Sequence, residues 1–333
     1  MRLLVTGSNG FIGGRIVAQA RERGWTVAGL GRQPDAAHPV DHYARVDLTD
    51  ADALDAGLAP VLTAFRGPPD AVIHAAALAS PWAHPAAFEA ANVGATRHMA
   101  DWASRHDVPH LVYVSSSSVL YRRADQLGLT EASPIPADAA QINMYSRTKR
   151  AGERLVEGYA GMSTIIRPRA VFGPGDTVLL PRLIAAARKG QLPLFTRPDG
   201  DDVQCDLTDV DTTAHAILTA VERSVTGPIN VTNGEPVPLY PFLLDVLDRL
   251  GVPAPRRRVP VRVAMAGAGL AEVVSARLLR YREPPITRFG VAMFAWSKTF
   301  DIARQRDLLG PPLIPLDTAV ERLVAWRRDT VRD

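Results

Sequence analysis

The stretch Arg2-Leu-Leu-Val-Thr-Gly-Ser-Asn-Gly-Phe-Ile-Gly13 decides how this 333-residue chain is read. A short apolar run leads directly into glycines at 7, 10 and 13, and the residues from Phe11 onward take helical spacing. In a strand-to-helix turn, glycine permits the tight reversal, lets a backbone approach an anion, and allows the helix to pack closely on the strand. The helix N-terminus adds unpaired N–H donors and a partial positive charge. A dinucleotide pyrophosphate is therefore expected against Gly7, Ser8, Asn9, Gly10, Phe11, Ile12 and Gly13.

Outward from this loop, short apolar runs alternate with helical patterns, the mark of βαβ units and a parallel sheet. The runs predict strands over Arg2–Thr6, Trp25–Leu30, Tyr43–Asp47, Ala71–His74, His110–Ser115, Ser163–Arg167 and Pro228–Thr232. Helices are expected over Phe11–Arg23, Ala51–Phe65, Pro85–His106, Asn143–Tyr159 and Thr212–Glu222, the last capped by Asp209 or Asp211. The fold class is thus α/β, a doubly wound parallel sheet of the Rossmann kind, with a smaller, mostly helical C-terminal substrate lobe. From Gly173 onward prolines break the regularity, so residues 1–175 plus 206–233 read as the dinucleotide-binding domain and 176–205 plus 234–333 as the lobe. The cleft between them is the expected substrate site.

The end of the second strand selects between nicotinamide cofactors. Gly31-Arg32 stands there, so no carboxylate takes a ribose hydroxyl and a guanidinium is placed for a 2′-phosphate; NADP is expected over NAD. A solvated loop arginine is the competing reading of Arg32. Tyr145 and Lys149 are spaced i, i+4 on one helix face, where an ammonium is expected to lower the phenol's pKa and fit it for proton exchange with a carbonyl or alcohol. The strand at His110–Ser115 runs into Ser115-Ser116-Ser117-Ser118, which places a hydroxyl at a sheet's carboxyl end, where it can hydrogen-bond the substrate oxygen.

Together these motifs resemble the extended short-chain dehydrogenase/reductase family over essentially the whole chain. The match includes Thr6–Gly13, Asp47-Leu48, His74-Ala75-Ala76-Ala77, Asn92 in Asn-Val-Gly-Ala-Thr, the serine run, Tyr145–Lys149, and Arg167-Pro168-Arg169-Ala170-Val171-Phe172-Gly173-Pro174-Gly175. The resemblance implies that Tyr145 is the acid/base and that Lys149 holds the ribose. It sets Asp47 and Leu48 by the adenine, and it brings Ala75, Ala76, Asn92, Pro168 and Val171 to the cofactor. The third catalytic hydroxyl is Ser116 by ungapped alignment, or Ser117 if Tyr121 closes the motif. A narrower similarity, carried by Ser80-Pro81-Trp82, Asp125–Glu131, Glu283–Gly290, Asp301–Arg304 and Leu308–Gly310, is to the 3β-hydroxysteroid dehydrogenase-like branch, which includes 2-alkyl-3-oxoalkanoate reductases. It implies a small apolar ketone or alcohol as substrate, with Trp82, Ser117, Tyr145 and the Val263–Leu279 helix lining the pocket. The alternative within the family is a nucleotide-sugar epimerase or dehydratase with tightly bound NAD. The helices Pro85–His106 and Asn143–Tyr159 resemble the pair that forms two-fold dimers in the family.

Composition sets the remaining bounds. With 38 Lys+Arg against 35 Asp+Glu, the net charge of +3 gives no nucleic-acid footprint. Cys205 is the only cysteine, and no Cys/His spacing offers a metal site, so no disulfide and no metal are expected, and a reducing cytoplasm fits. No leader pattern opens the sequence, and no apolar run approaches the ~20 residues of a membrane span.

Overall fold

The computed structural model describes residues 1–177, 180–198, 200 and 203–330. Seven strands form one parallel sheet: β1 (Arg2–Thr6), β2 (Thr26–Gly31), β3 (His42–Arg45), β4 (Ala71–His74), β5 (His110–Val114), β6 (Met162–Pro168) and β7 (Gly227–Val231). Their spatial order is β7-β6-β5-β4-β1-β2-β3. The order reverses between β1 and β4, and a crevice opens at the carboxyl ends of strands on either side of such a reversal.

Both faces of the sheet are covered, and for that reason its central strands are largely apolar and buried, while the edge strand β3 buries only Ala44. Helices α1 (Phe11–Glu22) and α5 (Val210–Glu222) pack one face through Ile16, Val17, Ala214 and Ile217 against Leu3, Val5 and Val112. On the other face lie α2 (Ala51–Phe65), α3 (Ala95–Arg105) and α4 (Met144–Glu157), whose Leu58, Met99, Trp102 and Val156 meet Leu4, Val72 and Leu111. Each fully buried aliphatic side chain here is worth about 1.5–3 kcal/mol. The α5 cap is Asp209, whose carboxylate accepts from the N–H groups of Asp211 and Thr212 at 2.8 and 3.1 Å. Asp211 instead binds Arg15 and Arg322.

The expected helix over 85–106 is broken. A single turn over Pro85–Phe88 passes through a π-helical stretch, Glu89–Gly94, before α3 begins. A second, four-stranded sheet joins Val237–Pro238, Gln204–Cys205, Lys298–Phe300 and Gln126–Leu129, so the irregular part of the chain is stitched to the segment after β5. Helix α6 (Val261–Leu278) corrects another expectation. Val261, Ala264, Ala268, Glu272 and Ser275 are buried, and Met265 packs partly buried beside them. Val263, Leu270, Val273, Leu278 and Leu279 are exposed, so the larger apolar side chains of this run lie at the surface.

Candidate functional site

At the crevice, Gly7 has φ +68°, and a Cβ there would stand 2.9 Å from the Ala76 backbone. A Cβ on Gly13 would fall 2.0 Å from the Gly7 carbonyl oxygen, so these two glycines are required by the crossing of β1, α1 and the β4 loop. Gly10 differs, since its Cβ would meet only that same carbonyl oxygen, at 3.2 Å. It also stands at the N-cap of α1 without a side-chain cap, and no acidic residue occupies the first turn. Uncapped N–H donors above a surface of bare backbone fit a pyrophosphate. Ser8 and Asn9 are occupied otherwise. The Ser8 hydroxyl donates to Leu30 O (3.3 Å), and the Asn9 amide donates to Asp35 O (2.8 Å) and accepts from Ala37 N–H (2.9 Å), holding the loop after β2. Ile12 packs on the core below, and Phe11 faces Gly175.

At the end of β2, a Cβ on Gly31 would lie 2.6 Å from the Tyr43 hydroxyl, which excludes a carboxylate side chain there while Tyr43 keeps its place. Tyr43 is fixed by donating to Gln33 O (3.0 Å) and accepting from Asn9 (3.2 Å). Arg32 is exposed; hydrogen bonds from the Thr49 N–H and hydroxyl hold the Asp47 carboxyl below its ordinary range, with a smaller contribution from the Arg32 charge. Leu48 is buried in the core, so only its backbone is available at this edge; its carbonyl already pairs with His98 Nδ1 (2.9 Å).

The other end of the crevice holds Tyr145 and Lys149, both on α4, whose N-cap Asn143 accepts from Ser146 N–H. The four serines diverge. Ser115 donates to Glu153 Oε1 (2.6 Å), and Ser117 pairs with the Tyr121 hydroxyl (2.8 Å) inside the protein. Ser118 is buried, and Ser116 alone is partly exposed; its hydroxyl pairs with Ser118 Oγ (2.9 Å) and accepts from Ser118 N–H (3.2 Å), near enough to Tyr145 to act on its phenol. The expected lowering of the phenol is not found. Burial pushes Tyr145 up to about 12, with Ser116 opposing the rise. The reason is the position of Lys149, which donates to Val114 O (2.6 Å) and stands 4.3 Å over the Tyr113 ring. Burial brings this lysine itself down to about 7, against the pull of Glu153.

Two networks that the sequence did not announce hold this geometry. Buried Glu153 accepts from Arg167 Nε and Nη2 (2.8 and 2.9 Å), from Ser115 and from Arg150, and so bolts α4 to the ends of β5 and β6. Its one signal in the sequence is its place four residues after Lys149 on the same helix face. In the second network, Ala76 N–H donates to Thr6 Oγ1, Thr6 to His74 Nδ1, His74 Nε2 to Thr96, and Thr96 to Asn92 O. Thr96 spends its one proton on Asn92 O, so His74 Nε2 donates to it; burial and the Lys149 charge bring His74 down to about 3, and the neutral ring leaves Nδ1 to accept from Thr6. Asn92, within the π turn, accepts from Leu78 N–H (2.7 Å) and donates to Thr148 (3.1 Å), tying the β4 loop to α4. Its side chain is thus committed to protein. Pro168 ends β6 and Val171 opens a two-residue strand, with Ala170 between them at φ +42°. Trp82 donates its indole N–H to Ser275 (2.9 Å) and stacks on Tyr281. No more of it is free for substrate than its half-buried face.

A doubly wound parallel sheet with this glycine loop, and with Tyr and Lys one turn apart beside a serine, defines an NAD(P)-dependent enzyme of the short-chain dehydrogenase/reductase kind. The chain belongs to the NAD dependent epimerase/dehydratase family, whose model matches residues 3–232. It is 29% identical to the 2-alkyl-3-oxoalkanoate reductase of Stenotrophomonas maltophilia, over 98% of this chain and 99% of that one. It is 30% identical to the 4-hydroxy-2-methyl-3-oxo-4-farnesyl-3,4-dihydroquinoline-1-oxide ketoreductase of Stigmatella aurantiaca, over 93% and 91%. Among solved structures, the Thermus thermophilus UDP-glucose 4-epimerase complex with NAD superposes with a TM-score of 0.72 at 22% identity, over 98% and 99% of the two chains, a likeness of fold alone.

Proposed function

We propose that the protein reduces an apolar 3-oxo compound to its 3-hydroxy form with NADPH. The observation that carries the reading is Tyr145 one helical turn from buried Lys149, with Ser116 at the end of β5 near the phenol, in a chain similar along nearly its whole length to two 3-oxo reductases. The hydride would come from a nicotinamide held on the glycine loop. Tyr145 gives its proton to the carbonyl oxygen while Ser116 donates a hydrogen bond to the same oxygen, spreading the charge that develops there. Lys149, held by Val114 O, would hold the ribose, as the family resemblance implies. The backbone from Pro168 to Val171, together with Ala75 and Ala76 after β4, would line the nicotinamide side of the crevice, as the family resemblance implies. Apolarity of the substrate is supported by the likeness to these two reductases. The single buried Cys205 fits a reducing cytoplasm as the working compartment.

For the cofactor, Arg32 beside the carboxylate-free Gly31 supports NADPH. Arg32→Ala should weaken NADPH by about 1.5–3 kcal/mol, the range for a hydrogen bond to a charged group, and leave NADH almost untouched. Equal losses for both, by titration calorimetry, would remove Arg32 from this role. Consumption of NADPH across 3-oxo esters, 2-alkyl-3-oxo acids, ketosteroids and UDP-sugars tests the whole reading. Affinity should rise by up to ~0.8 kcal/mol per buried methylene of an acyl chain. Turnover of UDP-sugars alone, with NAD retained through purification, would replace it by the epimerase reading.

A further inference from the structure

Nine large apolar side chains are exposed among the described residues, and six belong to α6 or its C-cap: Val263, Leu270, Val273, Val274, Leu278 and Leu279. Leu270 and Leu278 are 68% and 75% exposed. With Ala266 and Gly267, also exposed, the helical positions among them follow steps of three and four and make one stripe opposite the buried Ala264, Ala268 and Ser275. The stripe carries no acid, because Glu272 points inward to Arg288. Its two ends are cationic. Arg256, Arg257, Arg258 and Arg262 are exposed before and at its start, and Arg277, Arg280 and Arg282 at its finish. None of these seven makes an ion pair among the described residues. A scattered exposed leucine needs no explanation, whereas a stripe of this length does.

We propose that α6 is a membrane-surface helix, which lies in the headgroup region of a bilayer containing anionic lipid. The apolar stripe enters the acyl boundary while the two arginine clusters meet lipid phosphates. At about 27 Å the helix is long enough to lie along the surface, and no helix among the described residues is long and apolar enough to cross it. A second copy of the chain is the poorer occupant. Two such helices paired antiparallel about a two-fold axis set the Arg256–Arg262 end against the Arg277–Arg282 end, and a parallel pair sets each cluster against itself; like charges meet in both cases. The helix also touches the candidate site. Ser275 accepts the Trp82 indole N–H, and Trp82 and His84 both pack on Tyr281, so the loop after β4 hangs from the C-terminal end of α6. The inference rests on this surface alone and does not require the substrate proposed above.

Flotation of the full chain with phosphatidylcholine vesicles, with and without phosphatidylglycerol, tests it. The protein should float with the phosphatidylglycerol vesicles and be released by high salt. Leu270→Glu combined with Leu278→Glu should lower the bound fraction at least tenfold at an unchanged melting temperature. Arg277→Gln combined with Arg280→Gln, which spares the apolar stripe, should lower the affinity by roughly tenfold. Wild-type protein that stays in the dense fraction at low salt overturns the proposal, as does binding indifferent to phosphatidylglycerol or to both double variants. A mass that falls on light scattering for the Leu270/Leu278 variant would assign the stripe to a second copy instead.

Discussion

Tyr145 shows what burial does to a proton donor. Held near 12, its phenol is neutral throughout the working pH range and keeps the proton that a developing alkoxide needs. Replacing Tyr145 with Phe preserves the ring and removes only that proton, so turnover should fall by the ~10²–10⁴-fold expected of a general acid, with cofactor affinity nearly unchanged. Stopped-flow reduction at near wild-type rate would reassign the role. Lys149 gives a pH signature of its own. The unfolded chain keeps the lysine proton to its ordinary value of 10.5, the folded chain only to about 7. Between those values the unfolded state holds more protons, so this group makes stability rise with pH. The melting temperature of the wild type, measured from pH 7 to 9.5, should therefore climb relative to Lys149→Met. Parallel curves would mean that Lys149 keeps its proton inside the protein.

Helix α4 carries Tyr145 and Lys149, and its seat depends on Glu153 and Arg167, which are 0% and 1% exposed in their side chains. Glu153→Gln leaves the Arg167 charge buried without its counterion, a change that costs about 3–5 kcal/mol. The melting temperature should drop by several degrees, and Glu153→Leu with Arg167→Met should recover part of the loss, because no charge is then stranded. A double variant no more stable than Glu153→Gln would show that the pair acts by hydrogen-bond geometry rather than by charge. None of this pairing was legible in the sequence, where Glu153 is one carboxylate among 35 acidic residues. The elements themselves were legible, since β1, β4 and α2 have the bounds that their apolar spacing predicts. The π turn at Glu89–Gly94 was not, because one extra residue in a helix leaves the average period of a 22-residue run almost unchanged. That turn matters, since it aims Asn92 at the β4 loop and at Thr148.

On the scale of the molecule, the outward and inward faces of a helix depend on what packs against it, and periodicity alone does not say which is which. Val263–Leu279 has helical spacing and is helical, yet its larger apolar side chains face out. The same question governs self-association. We propose a two-fold homodimer through α3 and α4 with the turn that precedes α3, a surface quite separate in sequence from α6. No large exposed apolar side chain lies on these elements among the described residues; Ala90 is exposed, Val93 and Leu155 are half-buried, and Arg97, Arg147 and Arg154 stand among them. An interface of this kind is held by small side chains that let two helix pairs approach closely, with paired charges at its rim, and it is correspondingly sensitive to bulk. Ala90→Trp should therefore split the dimer without changing the fold, because the position points away from the sheet. Light scattering at micromolar concentration should read about twice 36.0 kDa for the wild type and a single chain for the variant. A wild-type mass of one chain across that range would end the proposal, and a dimer that survives Ala90→Trp would move the interface elsewhere.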